Sequence, residues 1–173
     1  MAELTLRALR PADTEDLLRI HRTPEVRRWW GDPEPGFPDD DPGAVRWTIL
    51  VDGEVAGLVQ FVEELEPRYR HAGIDIFLDP AWHGRGIGSE VVARVVDHLV
   101  RERGHHRITI DPAVENRAAV RAYEKAGFTA VGVMQAYERD VDGDGWHDGL
   151  LMELVVNAPP HDPAAAGAAP RSM

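Results

Sequence analysis

The sequence predicts an α/β fold built on one mixed, largely antiparallel sheet with flanking helices. Short strand-like segments in the first half are joined by turns, the pattern of neighbouring antiparallel strands. A strand–helix–strand–helix passage then runs from residue 71 to residue 126 inside this hairpin-connected frame. A uniform Rossmann alternation would need more helices than the apolar periodicity supplies.

The elements follow in order. Residues 4–9 alternate as a first strand, and Pro11 opens a helix that Asp13 or Thr14 can cap, with Leu17, Leu18 and Ile20 behind it. Pro24 starts a second short helix through Trp29 and Trp30. Residues 31–43 are rich in Pro, Gly and Asp and read as a loop. Residues 47–51 and 55–62 flank Asp52-Gly53, a strong hairpin signal. A strand over 71–79 precedes a helix over 86–103, in which Ile87, Val91, Val95 and Leu99 share one face before Gly104 ends it. A strand over 106–111 and a helix over 116–126 follow, with Gly127 as its stop. Residues 128–138 and 150–156 pair as last strands around a polar turn. A single domain over 1–156 is expected, with 157–173 as a disordered tail rich in Ala and Pro.

Composition limits the function. The chain has 173 residues, 43% apolar and 28% charged, as in a soluble globular protein. A formal charge of −11 argues against a nucleic-acid surface and favours a small polycationic partner, although plain solubility explains it equally. No cysteine is present, so disulfides and thiolate zinc sites are excluded. The N-terminal residues lack a signal-peptide pattern and no apolar run is long enough to span a membrane, so a cytoplasmic location is expected. Asp140 to Gly145 imitate the opening of a calcium loop, but Leu151 stands where a bidentate Glu belongs and no helices flank it, so a hairpin turn is expected. His105 and His106 are adjacent in a predicted strand and point to opposite faces, which argues against a shared metal.

Chemistry enters at His83-Gly84-Arg85-Gly86-Ile87-Gly88-Ser89, between a strand and a helix. Three glycines at alternate positions let backbone N–H groups converge at a helix N-terminus, which is a pyrophosphate cradle. Arg85 can add a charge-assisted contact. A tight strand-to-helix turn would also use these glycines. No Gly-Lys-Ser/Thr follows, so this is not a P-loop.

The segment resembles the acyl-CoA-binding motif of the Gcn5-related N-acetyltransferase superfamily, Gln/Arg-x-x-Gly-x-Gly/Ala, with His83 departing from the first position. The stretch from Asp111 to Phe128 is similar to the second signature of that superfamily. The resemblance implies acetyl-CoA as cosubstrate, with no metal, and a splayed central strand whose Ile76, Phe77 and Leu78 pair with pantetheine. It further implies that Asn116 belongs to the coenzyme site and that Tyr123 protonates the leaving thiolate. Asn116 is a good helix cap on its own, and Tyr123 lies two turns along the same face. Standing alone, Tyr123 reads first as an amphipathic core residue with its hydroxyl satisfied.

Asp75 interrupts the apolar strand Ile74-Asp75-Ile76-Phe77-Leu78 and is the candidate general base, because burial would raise its pKa. Its parity also fits a solvent-facing residue. Ile74-Asp75, Thr109-Ile110-Asp111-Pro112, the segment 121–128 and Asp148-Gly149 resemble bacterial aminoglycoside 6′-N-acetyltransferases. That likeness implies that Asp75 is the base, that Asp111 and Asp148 hold substrate amines, and that Trp29 and Trp30 flank the acceptor. Glu63 and Glu64 are further candidates, and the run Asp39-Asp40-Asp41 suits either an acidic cleft or a solvated loop. The expected reaction is direct acetyl transfer to a primary amine in a monomer or homodimer. An acetyltransferase acting on a protein N-terminus or small-metabolite amine, and a non-catalytic binder of aminoglycoside or CoA, are the alternatives.

Overall fold

The computed structural model describes residues 2–156. Seven strands, β1 (Leu4–Ala8), β2 (Ala44–Val51), β3 (Glu54–Glu64), β4 (His71–Leu78), β5 (Arg107–Ile110), β6 (Thr129–Arg139) and β7 (Trp146–Val155), form one sheet. Helices α1 (Thr14–His21) and α2 (Pro24–Trp30) follow β1, while α3 (Ile87–Arg101) and α4 (Arg117–Lys125) bracket β5. The strand order is β1-β2-β3-β4-β5-β7-β6, and only β4 and β5 run parallel. The expected mixed, largely antiparallel sheet is therefore present. The expected tail at 157–173 lies outside the described residues.

Successive strand residues point to opposite faces, so each face acquires its own apolar core. On one face Leu17, Ile20, Val26 and Phe37 pack against Leu58 and Phe77. On the other, Val91, Val95 and Leu99 of α3 pack against Val59, Phe61, Ile74 and Ile108. The hairpin at Asp52-Gly53 has φ of 52° and 84°, both positive, as a two-residue turn matched to strand twist requires.

Three local expectations change. The Asp13 side chain does not cap α1: its buried carboxylate receives both guanidinium arms of Arg7 at 2.7 Å, the Thr48 hydroxyl at 2.7 Å and the Arg10 N–H at 3.0 Å. It thereby ties β1 to β2 and to the turn before α1. The last hairpin is longer than expected, since β7 begins at Trp146 and the turn closes with the Asp140 N–H donating to the Gly145 carbonyl at 3.0 Å. The pair His105-His106 precedes β5; His105 is buried and His106 exposed.

The donors around Asp13, Arg7 foremost, hold its carboxyl far below the usual aspartate range. A depressed folded-state pKa contributes stability that is present above the unfolded value and lost as pH falls toward the folded one. Asp13→Asn should therefore lower the unfolding free energy at neutral pH by about 2 kcal/mol. In urea titrations the gap from the parent protein should shrink once the pH drops below about 4.

Candidate active site

Strands β4 and β5 share only the register pairs Ala72↔Ile108 and Gly73↔Thr109. Beyond Gly73 they part, while β4 stays paired with β3 as far as Leu78. The parting opens a cleft of about 1710 Å³ lined by Asp75 to Leu78, the glycine loop, Ile110 and Asp111, one side of α4, and α2. Pockets for single small ligands run to roughly 1,000 Å³, so this cleft has room for a long ligand and a second molecule beside it.

At the glycine-loop end, Gly84 and Gly86 adopt φ of 72° and 82°, and nothing lies within 4 Å of where a Cβ would stand. Backbone conformation, not crowding, therefore calls for glycine there. Helix α3 begins directly afterwards, and Ile87, Gly88 and Ser89 form the cleft wall at its positive end. His83 donates from Nε2 to the carbonyl of Leu78 at 3.0 Å, so the departure from the superfamily motif fastens the loop to the end of β4. Arg85 lies over the Trp82 ring at 4.9 Å and outside the cleft lining. Asn116 caps α4, its side-chain oxygen accepting the Ala119 N–H at 3.2 Å, and it lines the cleft as well.

Asp75 and Tyr123 both line the cleft, close enough for the charge of one to act on the other. Asp75 has the parity of Phe77 and so faces the α2 side of the sheet. Its side chain is solvent-exposed on the wall of the cleft, as its parity in the strand predicts, while the protein around it thins its hydration. Loss of hydration pushes its pKa up to about 6, with a further upward push from Asp111 and Glu138; the Gln60 amide opposes this by donating at 3.3 Å. Gln60 is itself oriented, since its oxygen accepts from Arg46 at 2.9 Å and Arg46 pairs with Asp40 at 2.6 Å. Tyr123 is buried, and burial first, then the charges of Asp75 and Asp111, push its phenol well above the ordinary value. Among the described residues its hydroxyl has no protein partner, so its proton is free for a ligand.

Of the other sequence candidates, Asp111, Trp29 and Trp30 line the cleft together with Ile76, Phe77 and Leu78. The Trp30 indole donates to the Ile76 carbonyl at 3.3 Å, which satisfies one of the backbone groups freed by the parting. Trp30 also packs edge-on against Phe77 at 5.0 Å, so it is both core and wall. Glu63, Glu64 and Asp148 do not line the cleft. Glu63 is held by Arg103 at 2.7 Å and buried His105 at 2.7 Å, and Arg103 first, then His105, depress its pKa to about 2. Glu64 accepts the Glu66 N–H at 2.7 Å in the β3–β4 turn. Asp148 accepts the Ala136 N–H at 2.8 Å. In the calcium-like turn, Asp140, Asp142 and Asp144 are engaged by His147, Arg27 and Arg139. Sequence reasoning missed Gln60, Tyr137 and Glu138. Gln60 sits opposite Asp75 in the β3–β4 register, a position readable once the hairpin order is known.

The Acetyltransferase (GNAT) family model matches residues 6–128. The spermidine N(1)-acetyltransferase of Escherichia coli K12 is 27% identical over 137 residues, covering 72% of this chain and 73% of that protein. The aminoglycoside N(6′)-acetyltransferase type 1 of Klebsiella pneumoniae is 28% identical over 155 residues, covering 76% of each. Among solved structures, the Vibrio cholerae spermidine N-acetyltransferase with CoA and spermine superposes with a TM-score of 0.76 at 24% identity, over 88% of this chain and 95% of that one. An aminoglycoside acetyltransferase with coenzyme A and kanamycin gives 0.72 at 23% identity over the same shares. With its parted strands, glycine loop and buried tyrosine, and with the family model matched across most of its length, the chain belongs to the GNAT acetyltransferases and is an acetyl-CoA-dependent N-acetyltransferase.

Proposed function

We propose that the chain transfers acetyl directly from acetyl-CoA to a primary amine of a small polycation, and that the 6′-amine of an aminoglycoside is the acceptor. The observation that carries this reading is the set Asp75, Asp111 and Glu138, three carboxylates facing one cleft with Trp29 and Trp30 on its wall. A polycation is drawn to such a field, and the indoles on the wall give a sugar ring apolar surface to pack against. Kinship to a spermidine acetyltransferase favours a linear polyamine as the second reading.

Acetyl-CoA would supply the thioester, held along Ile76 to Leu78 and at the glycine loop. Alkyl amines are mostly protonated near neutral pH, so a base must free the nucleophile. Asp75, with a pKa of about 6, is ionised at pH 7 and basic enough to take that proton. A backbone N–H of the opened strand polarises the carbonyl. Tyr123 keeps its proton and can give it to the departing thiolate.

Thiol release should be measured with acetyl-CoA and either kanamycin or spermidine. Kanamycin is expected to give the higher kcat/KM; a spermidine preference selects the second reading, and turnover of neither sinks the polycation proposal.

The acid limb of the pH–rate profile should rise through about pH 6, as Asp75 loses its proton, and should vanish in Asp75→Asn. Gln60→Leu removes a donor that favours the charged carboxylate, so the limb should move to higher pH. Tyr123→Phe should lower kcat about 100-fold with little change in the KM for acetyl-CoA. A full rate in that variant would exclude the general-acid role.

A further inference from the structure

The β6–β7 hairpin is irregular where it passes the cleft. Met134 pairs with Gly149 and Glu138 pairs with His147, so Gln135, Ala136 and Tyr137 together face the single residue Asp148. A regular ladder would place one residue there; the surplus makes a bulge that turns side chains away from their alternation. Ala136 pays for it with a left-handed φ of 48°, unusual for a residue with a side chain. Asp148 holds that conformation, because its Oδ1 accepts the Ala136 N–H at 2.8 Å.

The bulge directs Tyr137 into the cleft. Its ring lies over Gly149, where an added Cβ would stand 2.7 Å from the ring's Cδ1 and 3.2 Å from Cγ, with the flexible end of Met134 at 3.0 Å. Its hydroxyl donates to Oδ2 of Asp111 at 2.5 Å. Neither Asp148 nor Gly149 lines the cleft, yet both fix a residue that does.

We propose that Tyr137 determines acceptor specificity by engaging one oxygen of Asp111 and presenting the other to an ammonium group, and that Asp148 and Gly149 are positioning residues that place Tyr137. This rests on reading the cleft around Asp75 as the site of a polycationic acceptor. The chemistry assigned is the holding of a second ammonium at Asp111 while Asp75 deprotonates the first. The same hydrogen bond, with burial, pushes the Tyr137 phenol up to about 12, so it remains a donor across any working pH.

Two measurements test this. In steady-state kinetics with kanamycin, or with spermidine if that is the acceptor used, Tyr137→Phe should raise the acceptor KM about tenfold, the worth of a hydrogen bond to a charged group. The KM for acetyl-CoA should not change. Gly149→Ala should raise the acceptor KM as well, but should add little in a Tyr137→Ala background, where only the flexible end of Met134 is left to move. An unmoved acceptor KM in Tyr137→Phe, or parallel changes in both KM values, overturns the specificity role.

The second measurement needs no acceptor. The chain has three tyrosines, and with ring-labelled tyrosine the Tyr137 carbon, assigned by its absence in Tyr137→Phe, can be followed by NMR at pH 11. A phenol of ordinary pKa near 10 is about nine-tenths ionised there, whereas Tyr137 should be mostly neutral. Asp148→Ala should shift it to the ionised form. A Tyr137 that stays neutral in Asp148→Ala overturns the positioning role, even if kanamycin and spermidine both fail as acceptors, which would count against the polycation reading alone.

Discussion

Strands β4 and β5 begin side by side and separate after two register pairs, and the placement of the candidate active site depends on that separation. Backbone N–H and C=O groups freed in this way must find partners or water. The protein supplies some of them from neighbouring elements: the Trp30 indole takes the Ile76 carbonyl, and His83 takes that of Leu78. The other edge of β4 is locked to β3 along its whole length, which leaves the opening on the β5 side. Gly57 permits that lock, since any side chain there would collide with the Phe77 carbonyl. Helix α2 and the glycine loop are thus fastened to the strand whose open edge they flank, so the wall beside Asp75 and the cradle at α3 keep a fixed spacing.

The charge pattern follows a related division of labour. Away from the cleft, several carboxylates that tie elements together are matched: Asp13 with Arg7, Glu63 with Arg103, Asp142 with Arg27, Asp40 with Arg46. Inside it, Asp75 and Asp111 have no arginine or lysine partner among the described residues, and each lies in the field of the other. Unmatched like charges raise the cost of ionisation and attract cations. The net charge of −11 therefore says less about function than its distribution does.

Much of this was legible in the sequence where the signal is local. The glycine loop, the Asn116 cap and the seven-residue step to Tyr123 are set by short-range backbone geometry, and their spacing is visible in one dimension. Asp75 stood out as a charge in an apolar run. What stayed hidden depends on pairs far apart in the chain. Glu63 looked like a free acid because Arg103 and His105 lie 40 and 42 residues away. Asp13 looked like a helix cap because its partners Arg7 and Thr48 come from two other strands. Tyr137 was hidden for another reason: a bulge changes the facing of residues without changing their composition, so strand alternation misassigns them. Asp148 was assigned to substrate by resemblance, while its carboxylate is used by the backbone of that bulge.

Desolvation pushes Asp75 and Tyr123 in the same direction and suits them to opposite roles in the proposed reaction. Both pKa values rise, but one starts near 4 and the other near 10, so a common shift leaves the carboxyl a usable base at neutral pH and the phenol firmly protonated. They are also coupled, because the Asp75 charge is one of the causes holding the phenol high. In the proposed reaction Asp75 becomes neutral when it takes the amine proton. That repulsion then disappears, and Tyr123 gives up its own proton more readily. Accepting a proton at one end of the reacting centre thereby eases its release at the other. A substituent that kept Asp75 neutral from the start would forfeit the base without preserving this order of events.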